Sequence, residues 1–236
     1  MANVVTKNLP NTITSLNLFS GCLAVSFGFQ GDLRLAFIFI LCSAVLDFFD
    51  GFAARLFHAY SVIGKELDSL ADVISFGLAP GVILFSLFKE VAYPECMFNY
   101  AFLFPYLGFV IAIFSALRLA KFNVDENQTT SFIGLPTPAN AIFIAGLANG
   151  GFAFWACPTW GLPLLILLVI LSSFLLVSNI SMFSLKMKSF SFYENRLPFI
   201  FLIISLALIV LFESLGFALS IVLYILFSII NNIVKK

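Results

Sequence analysis

The chain has 236 residues, 61% of them hydrophobic and only 10% charged, with twelve basic side chains balanced by twelve acidic ones. Its mean hydropathy is +1.09. A soluble domain is nearer half apolar and a quarter charged, so this composition excludes an ordinary water-soluble fold and predicts an integral membrane protein; the even charge identifies no partner, and no nucleic acid is expected.

A helix that crosses a bilayer needs roughly 20 apolar residues. Hydropathy predicts an all-α, polytopic transmembrane bundle of about eight spans, near 12–29, 35–57, 68–88, 98–120, 137–156, 162–184, 198–213 and 216–233. Six or seven is the alternative count. The first run carries Asn11, Thr12, Thr14, Ser15 and Asn17, and no basic segment leads into a small-residue cleavage site. It reads as an interfacial segment feeding the first span, not as a cleavable signal. The last two runs are short, and only Phe212-Glu213-Ser214-Leu215-Gly216 separates them, so a tight hairpin is expected there. No linker divides the chain: residues 1–236 form one membrane domain, with a core over 1–184 and a C-terminal hairpin over 198–233. The cysteines Cys22, Cys42, Cys96 and Cys157 lack metal-ligand spacing and are expected to serve packing.

Basic residues orient the chain, because cytoplasmic loops are enriched in them. With both termini inside, Lys7, Arg55, Lys65, Arg118, Lys121, Lys186, Lys188, Arg196, Lys235 and Lys236 fall on the cytoplasmic side, against Arg34 and Lys89 outside. In a bacterium the membrane would be the cell membrane. The long polar connections, about 121–136 and 184–197, lie on that inner side.

Between Asp47 and Asp72 the sequence DFFDGFAARLFHAYSVIGKELDSLAD holds five of the twelve acidic residues. Carboxylates near a bilayer are expensive and point to function. Asp47 and Asp50 are three apart and share a helix face; Asp68 and Asp72 are four apart and share another. Antiparallel helices joined by a short turn containing Gly64 would bring the pairs together. Four carboxylates repel unless a cation sits among them, and oxygen ligands suit Mg²⁺ or Mn²⁺. Gly51 and Ala54 leave room beside the Asp50 face, and Arg55 adds a fixed cation suited to phosphate. Metal, slot and arginine together suit a nucleoside diphosphate and phosphoryl transfer. The plainer reading, that each aspartate caps a helix or faces water, explains one such residue better than four. A cation transporter would spread acidic residues over several spans at mid-membrane, whereas these gather at one rim.

The same stretch spells D-x2-D-G-x2-A-R-x8-G-x3-D-x3-D and resembles the signature of the CDP-alcohol phosphotransferase family. The resemblance implies transfer of a substituted phosphate from a CDP-linked donor to an alcohol, with release of CMP. It implies that Asp47, Asp50 and Asp68 are metal ligands, and that Asp72 is a shared ligand and the general base. Gly51, Ala54, Arg55 and Ser61 would meet the CDP group. Asn11, Thr14 and Asn17 would line the donor's base or phosphates, unless they merely cap the start of the first helix. Four further segments, LPNTITSLNLFSG at 9–21, ELDSLADVISFGLAPG at 66–81, ALRLAKFN at 116–123 and FIGLPTPAN at 132–140, are similar to the membrane-embedded branch of the family that uses serine. Asn17 stands where branches accepting glycerol 3-phosphate carry a basic residue. This similarity implies CDP-diacylglycerol as donor, L-serine as acceptor, two Mg²⁺ or Mn²⁺ ions and a homodimer. Other acceptors, glycerol 3-phosphate or an inositol type, are the alternative. The wider family has a six-helix core, which makes the final hairpin an addition.

Serine brings a carboxylate, for which Arg118 and Lys121 are the candidate cations; otherwise they mark the cytoplasmic interface. His58, the only histidine, is expected to face solvent. Pro136 and Pro138 are expected to stiffen the start of the fifth span.

Overall fold

The computed structural model describes residues 4–124, 132–155, 157–183 and 196–234. The helices are α1 (Val4–Phe29), α2 (Leu33–Leu56), α3 (Val62–Glu90), α4 (Glu95–Val124), α5 (Thr137–Gly150), α6 (Phe152–Trp155), α7 (Gly161–Val177) and α8 (Arg196–Val234). One antiparallel pair, β1 (Phe132–Ile133) and β2 (Ser181–Met182), joins Phe132 to Met182 and Ile133 to Ser181. Among the described residues the protein is all-α apart from this ribbon, and five helices, α1 to α4 and α8, are long and apolar enough to cross a membrane.

Short capped turns set the first three helices side by side. Gly31, at φ 79°, turns the chain after α1. Asp32 then caps α2 by accepting the Leu35 N–H at 2.9 Å. The link from α2 to α3 is Phe57–Ser61, with exposed His58 at φ 50°. Ser61 caps α3 by accepting the Gly64 N–H at 2.9 Å. Gly64 therefore lies inside the first turn of α3 and not in the connecting turn that the sequence suggests.

α3 is the central rod, with 67% of its apolar window buried. Small residues let neighbouring backbones approach it. A Cβ on Gly21 would overlap Ser75, one on Gly77 would lie 3.1 Å from the Ser115 Cβ, and one on Gly81 would lie 2.9 Å from the Gly108 carbonyl. α3 is not uniform: its winding loosens to a π-helix over Val73–Leu78 before α-helix resumes at Ala79. The outer face of α2 shows Phe48, Phe49 and Phe52, as a lipid-facing surface should.

α8 is not one rod. Glu213 leaves helical geometry at φ 49°, ψ −121°. The Ser220 hydroxyl lies 3.5 Å from the Ser205 carbonyl, whereas fifteen residues of straight helix would separate them by about 22 Å. The chain reverses at Glu213 into a helical hairpin. Its second arm lies against α5, where a Cβ on Gly146 would sit 2.7 Å from the Ser214 carbonyl and one on Gly150 would sit 2.8 Å from Leu215.

Several boundaries differ from the hydropathy reading. The helix expected over 137–156 stops at Gly150, and Gly151 breaks it from the short α6. The one expected over 162–184 stops at Val177, where the chain turns into β2. α3 begins six residues before its apolar run because Ser61 supplies the cap. Cys22, Cys42 and Cys96 are exposed free thiols and so do not fill the core. Lys186, Lys188, Lys235 and Lys236, and most of both long polar connections, lie outside the described residues.

Candidate active site

The four signature aspartates sit on the facing surfaces of α2 and α3, within the helices and not at their tips. Asp68 is six residues into α3, about 9 Å along the axis at 1.5 Å per residue. Oxygens of Asp47, Asp50 and Asp68 all lie within 4.8 Å of one another. Asp72, one turn further along α3, is buried and reaches Asp47 at hydrogen-bonding range. Three of the carboxylates thus form a tight group, and the fourth stands beside it, deeper in the bundle. The π-helix starts at the residue after Asp72, so the helix is locally rewound where this carboxylate is presented, as is frequent at functional sites.

Two oxygens of this group, Oδ1 of Asp68 and Oδ1 of Asp72, are buried with no hydrogen-bond partner among the described residues. Leaving buried acceptors unmet costs free energy, and the crowded negative charges repel one another. A hard divalent cation offsets both costs and prefers an all-oxygen donor set. The residues present fit such an ion.

α1 forms the third wall. Asn11, Thr14 and Asn17 follow at intervals of three along one face, well inside a helix that starts at Val4. They are therefore not caps of a helix start, and that reading is withdrawn. The Thr14 hydroxyl, buried, lies 2.7 Å from Oδ2 of Asp50 and 3.0 Å from the Pro10 carbonyl. Donation to the carboxylate is the stronger option because the acceptor is charged. Asn17 is fully buried, and neither atom of its amide has a partner among the described residues. Its main-chain carbonyl accepts from the hydroxyls of Ser43 of α2 at 3.3 Å and Ser75 of α3 at 3.2 Å. Three helices are tied at this level, beneath the aspartates.

Above them opens a cavity of about 780 Å³, whose walls include Asn11, Thr14, Asp50, Gly51, Ala54, Arg55, Ser61, Gly64 and Asp68. Of the residues singled out for the donor, Asn11, Thr14, Gly51, Ala54, Arg55 and Ser61 line it, and Asn17 does not. A Cβ on Gly51 would meet nothing nearer than the Arg55 guanidinium at 3.8 Å, so this position is open space on the cavity side. A Cβ on Gly64 would fall 2.8 Å from Oδ1 of Asn11 and 2.9 Å from Oγ of Ser61. Gly64 is thus the place where α1 and α3 close together. Lys65, Glu66 and Tyr60 complete the rim and were not anticipated.

Arg118 and Lys121 lie elsewhere. They line a second, small cavity of about 10 Å³ with Ser178 and Leu176, room for about one water. Lys121 is exposed, while Arg118 turns inward and interacts electrostatically with Asp72. Its Nη1 donates to Oγ1 of Thr137 at 3.4 Å, and the guanidinium lies 5.8 Å from the Phe122 ring centre. Thr137, which it bonds, is buried, as are Asn140 one turn further along α5 and Tyr224 on the hairpin, and all three were missed. No local pattern marks them, because they come from α5 and from the second arm of α8.

The CDP-alcohol phosphatidyltransferase family model matches residues 7–150, the stretch that holds the aspartates, the large cavity and α5. The chain is 36% identical over 130 residues to the CDP-diacylglycerol–serine O-phosphatidyltransferase of Bacillus subtilis (strain 168), covering 55% of this chain and 69% of that one. It is 31% identical over 226 residues to the enzyme of the same name from Helicobacter pylori (strain ATCC 700392 / 26695), covering 94% and 90%. It is 34% identical over 146 residues to the archaetidylserine synthase of Methanothermobacter thermautotrophicus, covering 61% and 59%.

Proposed function

Because the chain belongs to the CDP-alcohol phosphatidyltransferase family and is an integral membrane transferase, we propose that it moves the phosphatidyl group of CDP-diacylglycerol to the hydroxyl of L-serine, giving phosphatidylserine and CMP. The observation that carries this reading is the carboxylate group at the floor of a cavity walled by Asn11, Thr14, Gly51, Ala54, Arg55 and Ser61. Serine is favoured as acceptor because the relatives above share it in their names while their lipids differ.

Asp47, Asp50, Asp68 and Asp72 would hold two divalent ions, Mg²⁺ or Mn²⁺. When bound, such ions supply charge neutralisation for the pyrophosphate and the departing CMP. Arg55 at the cavity rim adds a fixed cation for the nucleotide's phosphates. Gly51 and Ala54 keep the wall low so that the CDP group can lie against α2, while the acyl chains stay in the bilayer. Thr14 holds Asp50 in place through its hydroxyl. Asp72 takes the proton from the serine hydroxyl. The serine oxygen bonds to the phosphorus that bears the lipid, and the bond from that phosphorus to the oxygen bridging to CMP breaks. Arg118, next to Asp72, receives the serine carboxylate as the water-sized space beside it empties, with Lys121 at its mouth. The site faces the cytoplasm in this reading, and a homodimer is the expected assembly.

The test is an acceptor screen. Purified protein is given CDP-diacylglycerol with serine, glycerol 3-phosphate or inositol, with Mg²⁺ or Mn²⁺ in turn, and CMP release is measured. Serine alone should support turnover. Preference for another alcohol would leave the chemistry standing and replace the acceptor; cation flux without CMP release would replace both.

A further inference from the structure

Taking Arg118 as the acceptor's carboxylate site, as above, we propose that the C-terminal hairpin completes the acceptor side: Tyr224 positions the Arg118 guanidinium, and the Asn140 amide is a second group that receives the charged head of an amino-acid acceptor. The hairpin lies beyond the residues that match the family model, which end at 150.

The packing register delivers Tyr224 to this place. α5 and the second arm of the hairpin run antiparallel, with Gly150 against Leu215 and Gly146 against Ala218. Small residues bring the two backbones close. Continued along the seam, the same register sets Tyr224 abreast of Asn140. The Tyr224 ring is wedged between Phe183 and Phe201, at centroid distances of 4.9 Å and 5.9 Å. Its hydroxyl donates to the Phe183 carbonyl at 3.0 Å. With that proton committed, the phenol oxygen offers only lone pairs to its surroundings. A guanidinium has only donors. Thr137 takes Nη1 of Arg118 at 3.4 Å, and the register above sets Tyr224 one turn along α5 from that contact. A long side chain is thereby held in one orientation, while its Nε keeps no hydrogen-bond partner among the described residues.

Asn140 supplies the second recognition group. It sits one turn after Thr137 on α5, so both are on one face. Its side chain is fully buried, yet neither amide atom has a hydrogen-bond partner among the described residues. Native structures rarely leave such groups unmet. An amino acid answers both open valences: its carboxylate suits the guanidinium, and its ammonium suits the amide oxygen. Glycerol 3-phosphate and inositol carry no ammonium, so this arrangement selects against them.

The experiment uses the full chain in mixed micelles and varies serine and CDP-diacylglycerol separately. Tyr224→Phe keeps the ring and removes the oxygen; if that oxygen helps to hold Arg118, the serine KM should rise about tenfold with the donor KM unchanged, whereas loss of the bond to the Phe183 carbonyl would lower stability without separating the two KM values. Asn140→Leu, of similar volume, should raise the serine KM likewise but make no difference with 3-hydroxypropanoate, which lacks the amino group. Equal shifts in both KM values, or none, in Tyr224→Phe would overturn the role of the hairpin, as would an Asn140→Leu effect that persists with the hydroxy acid. Arg118→Lys separates the two readings. If its serine KM is normal, the carboxylate site itself is wrong; if it is raised while Tyr224→Phe and Asn140→Leu are silent, only the present inference fails.

Discussion

The two sides of the proposed reaction are built in opposite ways within one bundle. The donor side is an open cavity of about 780 Å³ between α1, α2 and α3, with clustered carboxylates at its floor. The proposed acceptor side, around Arg118, has a space of only about 10 Å³, lined from α4, β1 and the end of α7, with Thr137 of α5 bonded to the guanidinium. A lipid-linked nucleotide needs room and concentrated charge. A small polar alcohol needs close fit and few, well-held donors. Asp72 stands between the two, reaching Asp47 on one side and feeling Arg118 on the other.

If this division is right, perturbations should sort by side. Removing divalent ions with a chelator should stop CMP release altogether and spare the fold, with Mg²⁺ or Mn²⁺ restoring it; a chelated enzyme at full speed would end the metal reading. Asp72→Asn comes next. It should lower turnover by about 10²–10⁴-fold, the usual contribution of a general base, while CDP-diacylglycerol binding, followed by equilibrium dialysis, stays within a few-fold. Thr14→Val removes the 2.7 Å bond to Asp50 while keeping the shape of the cavity wall. Partners of this kind typically change metal affinity by about 10–100-fold, so the Mg²⁺ concentration for half activity should rise while the serine KM stays put.

Smaller effects sharpen the boundary. Gly64→Ala places a methyl group 2.8 Å from Oδ1 of Asn11 and 2.9 Å from Oγ of Ser61. Both neighbours are ends of side chains that can yield, so the donor KM should rise only a few-fold, roughly 1 kcal/mol or less, and the serine KM should not move. Gly146→Ala acts on the other side. Its methyl group meets the Ser214 backbone, which yields only if the hairpin shifts, so the serine KM should rise and the donor KM should not. Crossed results in either variant would dissolve the distinction between the two sides.

The same contrast explains which parts of the site could be read along the chain. The donor residues fall within two neighbouring stretches, 11–14 and 47–72, where helical spacing alone puts Asp47 beside Asp50 and Asp68 beside Asp72. The seam of Asn11, Thr14 and Asn17 has a regular interval too, but its meaning needed the true start of α1 at Val4. Nothing local announces Tyr224 or Asn140. Each is a polar residue in an apolar run, and only the glycine contacts of α5 with the hairpin set their two helices side by side. Hydropathy also ran two helices too far, because it measures apolar length and does not register a stop at Gly150 or a ribbon after Val177.

Composition, helical periodicity and one dense aspartate motif were enough to specify a helical membrane transferase and to single out the carboxylates that gather in it, since those properties depend on neighbours within a few turns. The tertiary structure alone decided that three carboxylates close to within 4.8 Å while Asp72 stands deeper, and that the chain doubles back at Glu213 into a hairpin whose second arm lies against α5. Such outcomes depend on how far apart packed helices settle, and that distance is set by small residues meeting across the bundle, a pairing that no single segment encodes.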